Sequence, residues 1–224
     1  MKFSDTLRIA AVAAIGFGCV VVANADPITS LFNTGVGANG AVLSNGDIDP
    51  HYTLISSPGY DFNGSVRVAT SSNGYPIGPW LGDDSSSAWI GPISDSYLDG
   101  PSGWYFYQTT FSLTGLDPAT ASITGQWSTD NEGIEILING INTGTPADYA
   151  QFGGWESFHI SSGFQAGVNT IDFIVNNDGG PTGLRVEMSG VADASSVPDS
   201  GLTAVMLFGS LLGLAMLRRK LGHA

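Results

Sequence analysis

The sequence predicts an all-β domain, an antiparallel β-sandwich of the jelly-roll kind, set between two hydrophobic ends. Three observations predict it. Short runs alternate apolar and polar residues, the pattern of a strand buried on one face. Turn-forming clusters separate these runs at regular spacing. The central segment is rich in Gly, Ser, Thr, Asn and aromatics and poor in Lys, Glu and Ala, a strand-and-turn composition.

The elements follow in chain order. Lys2 and Arg8 precede an apolar run from Ile9 to Val22, and Ala23-Asn24-Ala25 supplies a small-x-small site. This is a signal peptide over residues 1–25, cut by signal peptidase before Asp26. The sole cysteine, Cys19, lies inside it, so the mature chain has no disulfide and no thiolate. An uncleaved anchor is the alternative reading of this end.

Residues 26–192 form the exported domain, long enough for a real core. Its first half is the less regular. Strands are expected near Tyr52 to Ser56, Ser65 to Thr70 and Ala88 to Ile90, with a long loop from Ser71 to Ser87. A loop of that length in a compact domain is a place to look for function. The second half alternates plainly. Tyr105, Tyr107, Thr109, Phe111 and Leu113 point one way; Phe106, Gln108, Thr110 and Ser112 point the other. Ile123 with Trp127, Ile171 with Phe173 and Val175, and Leu184 with Val186 and Met188 repeat the pattern, and Trp127 is expected in the core. Gly133 to Asn139 is more uniformly apolar and reads as a central strand. Asp117-Pro118, Asn139-Gly140 and Asn177-Asp178-Gly179-Gly180-Pro181 are the turns between.

Residues 193–201 are a linker, and Leu202 to Leu217 is an apolar helix able to span a bilayer, though only marginally long. Arg218, Arg219 and Lys220 then stop it and place residues 218–224 in the cytoplasm by the positive-inside rule.

Charge narrows the partners. The chain carries −13 overall, yet from Asp26 to Val197 its only Lys or Arg residues are Arg67 and Arg185. Such a domain repels phosphate backbones, which excludes nucleic acid as a partner. It is compatible with divalent cations and neutral, hydroxyl-rich ligands.

Two resemblances follow from these residues. Val197-Pro198-Asp199-Ser200-Gly201, the apolar run and the Arg-Arg-Lys stop resemble a PEP-CTERM sorting signal of the VPDSG-CTERM variant. The resemblance implies export across the inner membrane of a Gram-negative bacterium. It further implies recognition by an exosortase-type membrane protease, and a final place at the cell surface or in an exopolysaccharide matrix. Gln126-Trp127-Ser128-Thr129-Asp130-Asn131-Glu132, Ile134 to Gly140, Phe158-His159-Ile160, Gly167 to Phe173 and Gly183 to Glu187 resemble a galactose-binding-domain-like jelly roll. That is the fold of many carbohydrate-binding modules. Fold does not fix ligand.

Sugar rings stack on aromatic faces while amides and carboxylates bond their hydroxyls. The candidate ligand-binding residues are therefore Tyr75, Trp80, Trp89 and Trp155, with Asp83, Asp84 and Gln151 beside them. Asp47 with Asp49, and Asp130 with Glu132, could give oxygens to a structural calcium ion; turn-forming side chains are the competing reading. No other cofactor is expected. His-Glu-x-x-His, Gly-x-Ser-x-Gly and a phosphate loop are all missing from the sequence, so no catalytic residue is assigned. The reading is a non-enzymatic surface or matrix protein that binds polysaccharide. A purely adhesive spacer and a small secreted hydrolase are the alternatives.

Overall fold

The structure is a computed structural model that describes residues 25–59, 64–93, 95, 98–148, 151–195, 210 and 218. Among these residues eleven strands form one sheet. They are β1 (Ala25–Pro27), β2 (Ile48–Ser56), β3 (Ser65–Ala69), β4 (Trp89–Gly91), β5 (Gly103–Ser112) and β6 (Ser122–Asp130). Then come β7 (Glu132–Ile138), β8 (Ile141–Asn142), β9 (Glu156–Ile160), β10 (Val168–Asn177) and β11 (Gly183–Asp193). The order across the sheet is β8-β7-β10-β5-β2-β3-β4-β11-β6-β9, with β1 on the free part of β11.

Every strand pair is antiparallel. The longest register runs from Val168 opposite Ser112 to Asn177 opposite Gly103. β-Branched and aromatic residues fill these two strands, which suits a pleated, half-buried surface. Asn139 and Gly140 both take positive φ, 51° and 76°, and close the β7–β8 hairpin. That is the conformation an Asn-Gly pair is chosen for.

Strand β4 is the hinge of the sheet. It pairs β3 on one side and β11 on the other, and there the sheet doubles back on itself. The half containing β7, β10, β5 and β2 thereby faces the half containing β11, β6 and β9. Trp127 of β6 packs on Phe173 of β10 with ring centroids 5.8 Å apart, and Phe158 of β9 meets the same ring edge-on at 6.2 Å. The alternating residues named from sequence line this interior: Tyr105, Tyr107, Phe111, Ile123, Ile171, Val175, Leu184 and Val186 are all buried. The main core cluster draws on residues from Ile28 to Ala192.

Three sequence expectations change. Strand β7 is not central: it is separated from the sheet edge only by two-residue β8. Its apolar look comes from inward Ile136 and Ile138 alternating with half-buried Ile134 and Leu137. The polar face of β11 is not simply solvated, because Arg185 is 1% exposed. The long loop before β4 is not loose, since part of it builds a second small apolar cluster of Trp80, Trp89 and Ala69, with Ile77, Leu81 and Phe152 against it.

Of the two ends expected to be processed, the described residues are Ala25, Ser210 and Arg218. Ala25 pairs with Asp193, and Arg218 is helical and exposed. Ala23, Val197 to Gly201, Arg219 and Lys220 lie outside the described residues. Among the described residues no helix is long and apolar enough to cross a membrane, and the expected span 202–217 is mostly outside them.

Candidate functional site

Strands β6 and β11 set the site by register. Arg185 sits opposite Ser128, Glu187 opposite Gln126, and Ser189 opposite Thr124. Their neighbours Trp127, Leu184 and Val186 point into the core, so period two sends these polar residues to the outer face. The chain before β2 lies along this face. Thr34 bonds Val186 and Ala88 through its backbone, which brings Asn33 alongside; the Asn33 Oδ1 accepts the Met188 amide at 2.8 Å.

The loop ahead of β4 closes the upper end around Arg185. The guanidinium donates to Ser87 Oγ at 2.8 Å, the Gly82 carbonyl at 2.7 Å and the Ser87 carbonyl at 3.0 Å. Asp84 pairs with it at 2.6 Å, and the Trp155 ring lies 5.3 Å from it. A buried cation is tolerable only when its donors are satisfied in this way. The bonding continues outward. Ser87 Oγ donates to Glu187 Oε1 at 2.8 Å, and Gln126 Nε2 donates to Glu187 Oε2 at 2.9 Å. Arg185, Ser87, Glu187 and Gln126 thus form one fixed row across two strands.

Beside the row opens a cleft of about 470 Å³, lined by Asn33, Ser86, Thr124, Gln126, Glu187 and Met188 among others. Its polar wall is hydroxyls, two amides and one carboxylate held at both oxygens. Such groups orient the hydroxyls of a neutral ligand.

The sequence-predicted residues divide around this site. Asp84, Trp155, Trp80, Trp89 and Gln151 come together. Trp80 and Trp89 contact each other at 4.3 Å between centroids, the Gln151 carbonyl accepts Ser128 Oγ at 2.6 Å, and Leu81 bonds the Phe152 carbonyl. Trp80 and Trp89, however, are 4% and 1% exposed, with their indole N–H groups given to Asp130 and the Leu81 carbonyl. They belong to the small second core cluster and are not stacking platforms. Asp83 turns away to bond the amide and hydroxyl of Ser71. Tyr75 is exposed on the same loop.

The two acid pairs named for calcium, Asp47 with Asp49 and Asp130 with Glu132, have the following surroundings. Asp49 is buried and accepts the amides of Gly35, His51 and Tyr52; burial nevertheless pushes its carboxyl above the ordinary value. Asp47 closes a turn on the Ser44 amide. Asp130 accepts the Trp80 indole N–H at 2.8 Å, and burial raises its carboxyl to about 6. Glu132 sits in β7 opposite Asn176. No group of three or more His, Cys, Asp or Glu is placed to hold a metal ion among the described residues.

Sequence reasoning missed Arg185, Glu187, Gln126 and Trp104. The signal for Arg185 was present: one of two arginines in a domain without lysine stands out as a residue with a specific partner. Trp104 heads the polar phase of β5 and is 53% exposed.

Residues 196–221 match the VPDSG-CTERM motif. That match covers the tail alone. No curated protein matches the chain. Among solved structures the chain is similar to a family 35 carbohydrate binding module from Clostridium thermocellum, at 12% identity and a TM-score of 0.31, over 72% of this chain and 98% of that one. It is also similar to a family 35 module from an environmental isolate, at 13% and 0.33, over 66% and 96%. A third is the Podospora anserina GH26-CBM35 β-(1,4)-mannanase, at 13% and 0.32, over 60% of this chain but only 26% of that enzyme. The chain thus spans about a quarter of the mannanase's length. Likeness this faint carries no argument; the architecture stands on the strand pairing itself.

Proposed function

We propose that this is an exported protein, sorted to the cell surface or extracellular matrix through its VPDSG-CTERM tail, whose sandwich holds a neutral carbohydrate non-enzymatically. The tail match over residues 196–221 carries the reading. In it, signal peptidase cuts before Asp26, residues 202–217 hold the precursor in the membrane, and an exosortase-type protease grips the Val197 to Gly201 motif. A Pro-containing motif resists helix and stays extended ahead of the span, where a membrane protease can reach it. The sandwich is read as a galactose-binding-like jelly roll.

The cleft on β6 and β11 supports the binding half. Its wall offers fixed hydrogen-bonding groups and no exposed cation, which suits hydroxyl-rich, uncharged ligands over phosphates and uronates. Intact mass measurement of the matured protein tests the sorting half: a mass that still includes residues 202–224 refutes it. Affinity electrophoresis of residues 26–195 in gels containing neutral matrix polysaccharide tests the other half. Wild type is expected to be retarded, and Glu187→Ala with Gln126→Ala to lose about tenfold in affinity, the effect of about 1.4 kcal/mol. Equal mobility with and without polysaccharide rejects carbohydrate binding.

A further inference from the structure

We propose that the opposite sheet carries a second, independent carbohydrate platform centred on Trp104 and Phe106, so that one sandwich can bridge two polysaccharide chains. The platform stands on its own observations; the bridging rests on the cleft proposed above.

Of the five tryptophans, only Trp104 is exposed, at 53%. Phe106 lies next to it on the same face of β5, ring centroids 6.5 Å apart and tilted by 53°. Nothing in the core needs either ring, because Tyr105 and Tyr107 of the same strand already fill the interior. Register continues the patch onto β10, where Asn176 stands opposite Trp104, Ile174 opposite Phe106 and Asp172 opposite Gln108. Ile174 is buried, belongs to neither core cluster and stands opposite Phe106 in register. Gln108 donates to the buried Asp172 at 2.7 Å, which fixes the half-buried Gln108 amide at the edge of the rings. Two neighbouring aromatic faces flanked by fixed hydrogen-bonding groups are what a sugar ring requires: apolar C–H faces stack and equatorial hydroxyls are bonded at the rim.

Charge and area select the occupant. The acids on these strands are half-buried Glu132 and buried Asp172 and Glu135, and β5, β7 and β10 hold no Lys or Arg. An anionic polymer or anionic bilayer is therefore repelled. A second copy is disfavoured by size. A tryptophan offers at most ~250 Å², so the exposed half presents about 130 Å², against the roughly 800 Å² per partner of a stable interface. A neutral glycan, bound residue by residue, remains.

Trp104 and Glu187 project from opposite outer faces, with the Trp127–Phe173 core between them. Two sheets stack ~10 Å apart. No single extended chain can occupy both faces, so occupancy of both links two chains.

The test uses the full chain in detergent, with soluble galactomannan, xylan and hydroxyethyl cellulose as neutral probes and alginate as the anionic one. Binding is followed by tryptophan emission and cross-linking by solution viscosity. Wild type is expected to blue-shift on a neutral probe and to raise viscosity sharply. Trp104→Ala should lose the blue shift and the viscosity rise, and Trp104→Phe should recover most of the latter. Glu187→Ala should keep the blue shift while losing cross-linking. Unchanged binding and viscosity in Trp104→Ala, with a native circular dichroism spectrum, overturn the platform. A concentration-dependent dimer that Trp104→Ala abolishes, or a blue shift on alginate alone, overturns it too. Loss of the Glu187 effect with the Trp104 effect intact removes the cleft and leaves the platform.

Discussion

Asp130 shows how one side chain can couple this fold to pH. Its Oδ2 accepts the Trp80 indole N–H, while Oδ1 is buried with no protein partner. Desolvation disfavours the ionised form, and burial raises the carboxyl to about 6 despite the Trp80 bond. The folded state therefore holds this proton more tightly than the unfolded chain, whose aspartates titrate near ~3.9. The sign follows: the contribution is intact below about pH 4, falls as pH rises through about 6, and costs about 2–3 kcal/mol above that. Asp49, also raised by burial, acts in the same direction. Thermal melts are expected to show greater stability at pH 5 than at pH 7. Asp130→Asn should flatten part of that slope and raise the melting temperature at pH 7, since Asn still accepts from Trp80. Superimposable stability–pH profiles for the two proteins would contradict the argument. The aspartate was legible in the sequence as a turn or calcium residue, because its environment was not. Trp80, fifty positions away, encloses it, and a loop tryptophan reads as exposed until the cluster with Ile77, Leu81 and Phe152 is seen.

At the level of strands, tight approach is enforced by missing side chains. Gly125 lies in β6 between β9 and β11. A Cβ there would come within 2.5 Å of the Glu187 carbonyl and of the Phe158 ring, and 2.9 Å of Met188 Cβ. The ring could tilt, but the carbonyl is part of the β6–β11 ladder that holds the cleft's floor. Gly125→Ala is expected to cost about 3 kcal/mol, at the upper end of overpacking penalties, visible as a lower urea midpoint. A loss under about 0.5 kcal/mol would show the ladder is softer than it looks. The strands themselves were largely readable. Alternation located β5, β6, β10 and β11 to within a few residues, while β2, β3 and β4 lie near the places expected for strands in the less regular first half. Strands β1 and β8 left no such trace, being three and two residues long and exposed. Their existence depends on a partner: β1 on Pro27 opposite Val191, β8 on the Asn139-Gly140 turn. Strand position was less readable than strand identity. An apolar run marks burial on both faces, but β7 obtains that burial from the Thr143–Thr145 segment bonded to Glu135 and not from a central place in the sheet.

For the molecule as a whole, the ordering of core and tail decides what can be separated from what. The main cluster begins at Ile28 and ends at Ala192, and the described contacts of the final segment stop with the Ser195 amide on the Gly115 carbonyl. Strand β1 pairs with β11 through Asp26 and Pro27, so a cut before Asp26 sacrifices one ladder position, Ala25 opposite Asp193. Ala25 and Ser195, the described residues nearest the two proposed cuts, therefore lie at the margin of the sheet, outside the packed interior. Residues 26–195 are expected to fold alone and to melt within about 2 °C of the full chain in detergent. For a domain of this size a change of 1 kcal/mol moves the midpoint by only ~2–4 °C, so even one docked apolar turn of the tail would be detectable. A fragment that melts 10 °C lower, or aggregates while the full chain does not, would mean residues 202–217 cover part of the sandwich. The acidic, base-poor surface sharpens the comparison. Self-repulsion is expected to keep the isolated sandwich monomeric at low salt, and with a monomer verified by light scattering a fall in its melting point reports lost packing and not association.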